Sequence, residues 1–113
     1  MEKILKKDEI SSKELIALLK ERDSKNIDFY LIDVREEDEF DTTHIQGVDM
    51  LLPLSMIGEW IDDFVDKYGD KHTIFTCRSG RRSQEVCDIL IDMNHNQVSN
   101  HKGGILSYKG KKV

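Results

Sequence analysis

The chain has little cysteine, almost no proline and no long apolar run. Its 113 residues include two cysteines, one proline and one tryptophan. Two cysteines without a secretion-type leader predict free thiols rather than a disulfide-stapled domain. Residues 1–7 have no apolar segment of the signal-peptide kind, and no run approaches the ~20 apolar residues of a membrane span. We therefore expect a cytoplasmic protein with no membrane contact.

The chain also lacks an excess of positive charge. It carries 17 Lys and Arg against 22 Asp and Glu, a formal net charge of -5. Nucleic-acid binding usually needs a basic face, so this composition argues against a nucleic-acid partner. With 38% hydrophobic and 35% charged residues, the chain has the composition of an ordinary globular protein. Its length predicts one domain over residues 1–113.

Apolar periodicity predicts strands and helices in alternation. Continuous apolar runs of strand length alternate with segments whose apolar residues recur every three to four positions. The predicted strands cover 29–32, 48–52, 73–76 and 97–99, with an edge strand at Ile4-Leu5; the predicted helices cover 12–22, 55–68 and 82–93, with a last helical turn opened by Gly103-Gly104. This order predicts an α/β fold, a small, mainly parallel central sheet flanked by helices on both faces.

Local signals predict where the helices begin and end. Ser11 and Glu14 have the spacing of a capping box, which places a helix start at residue 12. Ser55 is the expected N-cap of the next helix. Gly69 is expected to stop that helix.

The segment from Thr76 to Ser83 is the most informative part of the chain. Cys77 follows an apolar run and precedes a short loop and a periodic helix. Ligands of parallel sheets bind at the carboxyl ends of the strands, where Cys77 is placed. The loop carries three arginines, Arg78, Arg81 and Arg82, and charged residues so close to a cysteine argue against a buried apolar filler. Gly80 indicates a bend or a close approach of the backbone.

These features predict that Cys77 is a nucleophilic thiolate. Lowering a thiol pKa by two units from about 8.5 requires about 2.7 kcal/mol. Convergent amides, a helix N-terminus and nearby guanidinium groups can together supply that amount. An ionised thiol would need no separate general base.

The other cysteine, the histidines and the acidic residues are expected to have structural rather than catalytic roles. Cys87 lies beside the apolar stripe of its helix and is expected to pack. A disulfide between Cys77 and Cys87 has unfavourable geometry. The four histidines show no metal-ligand spacing, so no metal is expected. Asp33 and Arg35, at the end of a central strand, are expected to form a local ion pair, and the acidic stretch 36–41 to be a solvated face.

Four motifs in order resemble the rhodanese family of sulfurtransferases over nearly the whole chain. Cys77-Arg78-Ser79-Gly80-Arg81-Arg82-Ser83 is similar to the active loop of small rhodaneses. The other three segments are Leu31–Glu36, which resembles the family's Asp-Val-Arg strand end, Phe40–Val48, which resembles its His-Ile-Pro-Gly-Ala signature, and Gly103–Tyr108, which resembles its Gly-Gly-Ile segment. The departures are Gln46 for proline, Val48 for alanine, Ser107-Tyr108 for Ala-Trp and His101 for an apolar residue. They concern supporting packing rather than the loop.

The resemblance implies a covalent reaction in two halves. Cys77 would take a sulfane sulfur from a small anionic donor such as thiosulfate, become a persulfide, and pass the sulfur to cyanide, a thiol or a protein thiol. No cofactor is implied. The residues implied to bind substrate are Arg78, Ser79, Gly80, Arg81, Arg82 and Ser83, with Arg82 the first choice for direct contact. Asp33 and Arg35 would support the site.

Two other functions remain open at this point. Cysteine phosphatases and arsenate reductases on a related fold place an arginine six residues after the cysteine, but here that residue is Ser83. A non-catalytic rhodanese-like module that binds or regulates a partner is the second alternative. Such modules usually lack the cysteine, whereas this chain keeps it.

Overall fold

A computed structural model describes residues 1–113. Five strands form one sheet in the order β1-β5-β4-β2-β3, and every neighbouring pair is parallel. The elements in chain order are α1 (Glu2–Leu5), β1 (Glu9–Ile10), α2 (Ser12–Asp23), β2 (Tyr30–Asp33), α3 (Glu37–Thr42), β3 (Met50–Leu51), a 3-10 turn (Leu54–Met56), α4 (Ile57–Tyr68), β4 (Thr73–Thr76), α5 (Arg81–Asp92), β5 (Val98–His101) and α6 (Gly104–Ser107).

Helices cover both faces of the sheet, as predicted. Neighbouring residues of a strand point to opposite faces, so Leu31 joins one apolar cluster and Ile32 the other. Leu15 and Leu18 of α2 pack in the cluster of Leu31. The cluster of Ile32 is completed by apolar residues of α4 and α5, namely Trp60, Phe64, Val86 and Leu90. Burial on both faces explains why consecutive residues at the centre of β2 and of β4 are apolar.

The predicted helix signals were right at two of three positions. The amide of Glu14 donates to Ser11 Oγ at 3.1 Å and the amide of Ser11 donates to Glu14 Oε1 at 2.9 Å, which forms the capping box. Gly69 is the C-cap of α4. The Ser55 cap was wrong, because Ser55 lies within the 3-10 turn that precedes α4, and its hydroxyl donates to the Glu36 carboxylate at 2.8 Å. No helix combines the length and the apolar character that a membrane span requires.

The predicted edge strand at Ile4-Leu5 was also wrong. Those residues belong to α1, and Leu5 packs into the core. The edge strand is Glu9–Ile10, which pairs with Asn100 and His101 of β5. This strand has only two residues, one of them charged. It is too short to show the alternation of apolar and polar residues by which a strand is recognised in a sequence.

The parallel sheet brings the ends of three strands together at one edge. Cys77 follows β4, Asp33 ends β2, and His101 ends β5. Because β4 lies between β2 and β5, the segments that follow all three strands surround the cysteine.

Candidate active site

The Cys77 sulfur lies inside the loop that joins β4 to α5. Backbone amides of Gly80 and Ser83 donate to Sγ at 3.1 and 3.4 Å, and the Ser83 hydroxyl lies 3.3 Å from the sulfur. The residue is only 1% exposed. The sulfur is therefore held by polar donors on its loop side while its stem packs in the apolar cluster of Ile32.

The pKa of Cys77 is lowered by these contacts, as the sequence predicted. Burial is the largest influence and raises the pKa, but hydrogen bonds from the Ser83 hydroxyl and from the amides of Ser83, Gly80 and Ser79 together outweigh it. Hydrogen bonds from the loop, first that of the Ser83 hydroxyl and then those of the amides, therefore favour the thiolate more than the arginines do. This differs from the expectation that guanidinium groups contribute substantially.

The Ser83 hydroxyl has two acceptors for one hydrogen. It lies 2.5 Å from Asn100 Oδ1 as well as 3.3 Å from Cys77 Sγ, and a hydroxyl can donate only one hydrogen bond. With Cys77 as a thiol, its S–H can donate to Ser83 Oγ while Ser83 donates to Asn100. Ionisation of Cys77 lets the Ser83 hydrogen rotate toward the sulfur.

Glycines let the backbone close around the sulfur. Gly80, the N-cap of α5, has φ +96°, and its carbonyl accepts from Asn100 Nδ2 at 3.1 Å. Gly104 has φ +58°, and a Cβ there would overlap the carbonyl oxygens of Cys77 and Arg78. The same two carbonyls accept from the amides of Ile105 and Leu106 at 2.9 and 3.0 Å. The Gly103-Gly104 segment therefore holds the cysteine loop in place through close backbone contacts and two backbone hydrogen bonds.

Arg82 is held by a carboxylate that the sequence analysis did not single out. Its two terminal nitrogens donate to the two oxygens of Glu39 at 2.7 and 2.9 Å. Hydrogen bonding to Arg82 lowers the pKa of Glu39 to about 2. Glu39 lies in α3, a helix within the stretch expected to be only a solvated acidic face. The pair leaves Arg82 less free to meet a substrate than its sequence position indicated.

Asp33 and Arg35 form the ion pair that the sequence predicted. Arg35 Nη2 lies 2.8 Å from Asp33 Oδ2, and both side chains are almost fully buried. Arg35 also donates to the carbonyl of Thr43 at 2.7 Å. The pair therefore ties the end of β2 to the end of α3, which carries Glu39.

Arg78 and Arg81 remain exposed and outside every ion pair of the structure. Together with Ser79, Arg82 and Glu85 they line an open cavity of about 410 Å³ beside the loop. An anion can therefore meet two uncommitted guanidinium groups beside the loop that follows Cys77.

A buried polar chain runs beneath the loop. His101 is 0% exposed, and its two ring nitrogens lie 2.8 Å from the hydroxyls of Thr76 and Ser12. The Ser12 hydroxyl lies 2.7 Å from that of Ser107. Burial lowers the pKa of His101 to about 4. The sequence marked His101 only as unusual; its neutral ring links β4, β5, α2 and α6 under the site.

The second cysteine lies apart from this chemistry. Cys87 is buried among apolar residues, and burial raises its pKa to about 12. Both cysteines are free thiols, as predicted. No three His, Cys, Asp or Glu side chains come together in a way that would hold a metal ion.

Two residues of the site, Asn100 and Glu39, were not predicted from the sequence. Asn100 lies one residue beyond the predicted strand 97–99, whereas in the structure it belongs to β5, in which all four residues are buried. Glu39 had a weaker signal, since it is spaced from Glu36 as in a capping box, and the amide of Glu36 does donate to Glu39 at 3.1 Å.

Comparison with known proteins agrees with this architecture. The family model "Rhodanese-like domain" matches residues 11–111. The Bacillus subtilis protein named "Putative sulfurtransferase YtwF" is 36% identical over 101 residues, covering 84% of this chain and 87% of that protein. A Schizosaccharomyces pombe protein, "Putative thiosulfate sulfurtransferase, mitochondrial", is 35% identical over 91 residues, covering 72% of this chain and 63% of its own length.

A solved structure shares the fold at low identity. The rhodanese-related protein of Thermoplasma volcanium superposes with a TM-score of 0.76 at 23% identity, over 95% of this chain and 98% of that one. This likeness shows that the α/β fold of this chain is shared with that neighbour. The chain belongs to the rhodanese-like domain family.

Proposed function

We propose that the protein is a sulfurtransferase that carries a sulfane sulfur on Cys77. The observation that supports this most is the convergence of the Gly80 and Ser83 amides on Sγ. Amides fixed in a ring stabilise negative charge on sulfur without presenting a general base or a metal. The relatives named as sulfurtransferases favour the same chemistry.

In the first half-reaction the Cys77 thiolate attacks the outer sulfur of a donor such as thiosulfate. The S–S bond of the donor breaks, and sulfite leaves with its electron pair. The uncommitted Arg78 and Arg81 attract the dianion, while Arg82, held by Glu39, adds positive charge beside the loop. The new persulfide carries its charge on the outer sulfur.

In the second half-reaction a nucleophile attacks that outer sulfur. The bond to Cys77 Sγ breaks, and its electron pair returns to Sγ, which the loop amides again stabilise. Cyanide, a thiol or a protein thiol has the required nucleophilicity. The cycle balances without a cofactor, and it predicts ping-pong kinetics.

Steady-state sulfur transfer from thiosulfate to cyanide tests the proposal. Wild type should give the parallel reciprocal plots of a ping-pong mechanism, Cys77→Ser should be inactive, and Cys87→Ser should keep its activity. Hydrolysis of an aryl phosphate by protein that ignores thiosulfate and other sulfur donors would place it with the phosphatases. Inactivity toward both substrate classes would favour a binding module.

A further inference from the structure

Asn100 is a buried polar side chain that contacts the cysteine loop at two points. It is only 3% exposed. Its Nδ2 donates to the carbonyl of Gly80 at 3.1 Å, and its Oδ1 lies 2.5 Å from the Ser83 hydroxyl. Both Gly80 and Ser83 also donate to Cys77 Sγ through their backbone amides. One amide side chain therefore contacts two of the residues that hold the sulfur.

The sheet fixes the place of this side chain. Asn100 is in register with Phe75 of β4 on one side and with Glu9 of β1 on the other. Its backbone amide donates to the carbonyl of Asp8 at 2.8 Å. A residue in a strand that is paired on both sides has little freedom to move. The position of the Asn100 amide group is therefore set by the sheet and not by the loop.

The hydrogen bonds also fix which end of this amide group faces Ser83. A backbone carbonyl accepts and does not donate, so the Gly80 carbonyl requires the NH2 end of Asn100. The oxygen end then faces Ser83, and an amide oxygen only accepts. The Ser83 hydroxyl is therefore the donor in this contact. Its one hydrogen is the same hydrogen that Cys77 Sγ attracts.

The competition for this hydrogen has a different outcome in each state of Cys77. A thiol can donate to Ser83 Oγ, so Ser83 donates to Asn100 and both hydrogen bonds are made. A thiolate attracts the Ser83 hydrogen to itself, and Asn100 Oδ1 loses its donor. In a persulfide the charge lies on the outer sulfur rather than on Sγ, so the Ser83 hydrogen returns to Asn100. The Asn100 oxygen therefore stabilises the thiol and the persulfide relative to the thiolate.

We propose that Asn100 is a positioning residue that competes with Cys77 for the Ser83 hydrogen and so favours the persulfide over the free thiolate. The inference rests on the proposed sulfur transfer through Cys77. In the loading step the S–S bond of thiosulfate breaks, the bond from Cys77 Sγ to the transferred sulfur forms, and sulfite leaves with the electron pair. The Ser83 hydrogen turns to Asn100 as Sγ loses its charge. It turns back when an acceptor takes the sulfur.

Carbon NMR of the wild-type protein tests this movement of the hydrogen and depends on no variant that must fold. The Cγ signal of Asn100 reports whether its oxygen accepts a hydrogen bond. We expect it to shift as Cys77 ionises, with the midpoint of the thiolate absorbance, and to return after thiosulfate loading. The signal of Asn26, which is exposed and bonded to Glu21, is the control and should not follow. An Asn100 signal that ignores the ionisation, or that keeps its thiolate position in the persulfide, would overturn the proposal.

The other ionisable groups near the loop do not disturb this titration. His101 and Glu39 have pKa values of about 4 and about 2, so neither changes charge above about pH 6. The hydrogen bond to Glu39 raises the pKa of Arg82, which stays positive. Asp33 and Arg35 form a buried ion pair. A step that follows the thiolate absorbance therefore belongs to the cysteine.

Asn100→Leu distinguishes competition for the hydrogen from simple support of the loop. Leucine is similar in size to asparagine but neither donates nor accepts. Loss of the Gly80 contact affects the thiol and the thiolate alike, whereas loss of the acceptor for Ser83 destabilises only the thiol. We therefore expect the pKa of Cys77 to fall by about half a unit to one unit, the scale of one hydrogen bond. Asn26→Leu is the matched control and should leave this pKa unchanged. A raised or unchanged pKa in folded Asn100→Leu would contradict the proposal.

The loading equilibrium tests the consequence for sulfur transfer. At fixed ratios of thiosulfate to sulfite, intact mass gives the loaded fraction of Cys77. Asn100→Leu should lower the loading constant about threefold to tenfold, because the Ser83 hydrogen has no acceptor in the persulfide. In a Ser83→Ala background there is no hydrogen to divide, so Asn100→Leu should change the constant little. Equal effects in the two backgrounds would mean that Asn100 acts only through the Gly80 carbonyl and would overturn the proposal.

The role of Asn100 and the proposed function can fail separately. Ionisation of Cys77 moves the Ser83 hydrogen whether or not the protein transfers sulfur. The Asn100 signal and the pKa of Cys77 in Asn100→Leu therefore test the competition even if thiosulfate fails to load Cys77. Normal loading together with an Asn100 signal that ignores the ionisation would reject the positioning role and leave the proposed function standing.

Discussion

At the scale of single residues, the acidity of Cys77 depends on two opposed effects. Burial disfavours the charged thiolate, and the hydrogen bonds of the loop favour it. The hydrogen bonds prevail because several donors converge on one sulfur. Ser83 differs from the amides because its hydroxyl can also donate to Asn100. Its single hydrogen is therefore divided between the Cys77 sulfur and the Asn100 oxygen.

Removal of the Ser83 hydroxyl should raise the pKa of Cys77. In Ser83→Ala the two amide donors remain, so we expect a rise of about one unit, near the lower value of a hydrogen bond to a charged group. Thiolate absorbance during a pH titration measures the change. Ser79→Ala is the control, because Ser79 acts on the sulfur only through its backbone. An unchanged pKa in Ser83→Ala would show that the hydroxyl serves Asn100 alone.

His101 makes the stability of the fold depend on pH. Its pKa is about 4 in the folded protein against 6.5 ordinarily, so between these values the unfolded chain binds a proton that the folded chain does not. Stability should be unaffected by His101 above pH 6.5 and should fall as pH drops from 6.5 to 4. The full loss is about 3 kcal/mol, at about 1.4 kcal/mol per unit.

Urea unfolding of wild type and His101→Leu at pH 7 and pH 4.5 measures this effect. The variant should be less stable at pH 7, because the Thr76 hydroxyl loses its partner. The difference between the two proteins should shrink at pH 4.5, since only wild type must bury an ionisable ring. A difference independent of pH would mean that His101 binds its proton equally well in the folded and the unfolded chain.

At the scale of elements, α6 and the start of α5 hold the sulfur loop between them. The backbone of Gly104 approaches the carbonyls of Cys77 and Arg78 so closely that a side chain cannot fit. The same carbonyls accept from the amides of α6. The loop geometry therefore depends on a segment that does not itself contact the sulfur.

Gly104→Ala should damage both stability and the site. The φ of +58° costs an alanine about 1–2 kcal/mol, and the overlap with the loop carbonyls adds to this cost. We expect a raised Cys77 pKa and slower sulfur loading, measured by titration and by intact mass. Gly58→Ala is the control: Gly58 lies in α4 with open space around it, so it should gain about 0.5–1 kcal/mol with no change at Cys77. Normal loading in Gly104→Ala would show that α6 is not needed to shape the loop.

The sequence predicted elements best where burial imposes a period. The apolar run Ile74-Phe75 with its flanking β-branched threonines predicted β4 at its observed bounds, Thr73–Thr76, and the capping box and apolar stripe predicted α2. The two-residue strands have too few positions for a period, which explains the error at Ile4-Leu5. Ser55 is not the cap because the 3-10 turn after Pro53 moves the N-cap of α4 one residue along the chain, to Met56.

At the scale of the whole molecule, strand order determines which distant residues meet the sulfur. The cysteine loop and its nearest donors are contiguous in sequence, so they could be predicted. Glu39 lies 43 positions before Arg82, and only the placement of β2 beside β4 brings the two together. Asn100 and His101 reach the loop because β5 lies on the other side of β4. Local patterns contain none of this information.

The acidic body and the two apolar clusters leave one region where cations remain unpaired next to a nucleophile. In the proposed reaction, Arg78 and Arg81 would attract an anionic donor, and the amides would stabilise the charge that develops on sulfur. Cys87, buried and with a pKa of about 12, should take no part. We therefore assign all of the proposed sulfur chemistry to Cys77.

Intact mass after thiosulfate treatment, with peptide mapping, tests that assignment most directly. Wild type and Cys87→Ser should each gain the mass of one sulfur atom, located on Cys77 and lost again on addition of cyanide, while Cys77→Ser should gain none. An unchanged mass with thiosulfate and with persulfide donors, or a sulfur located on Cys87, would contradict the account.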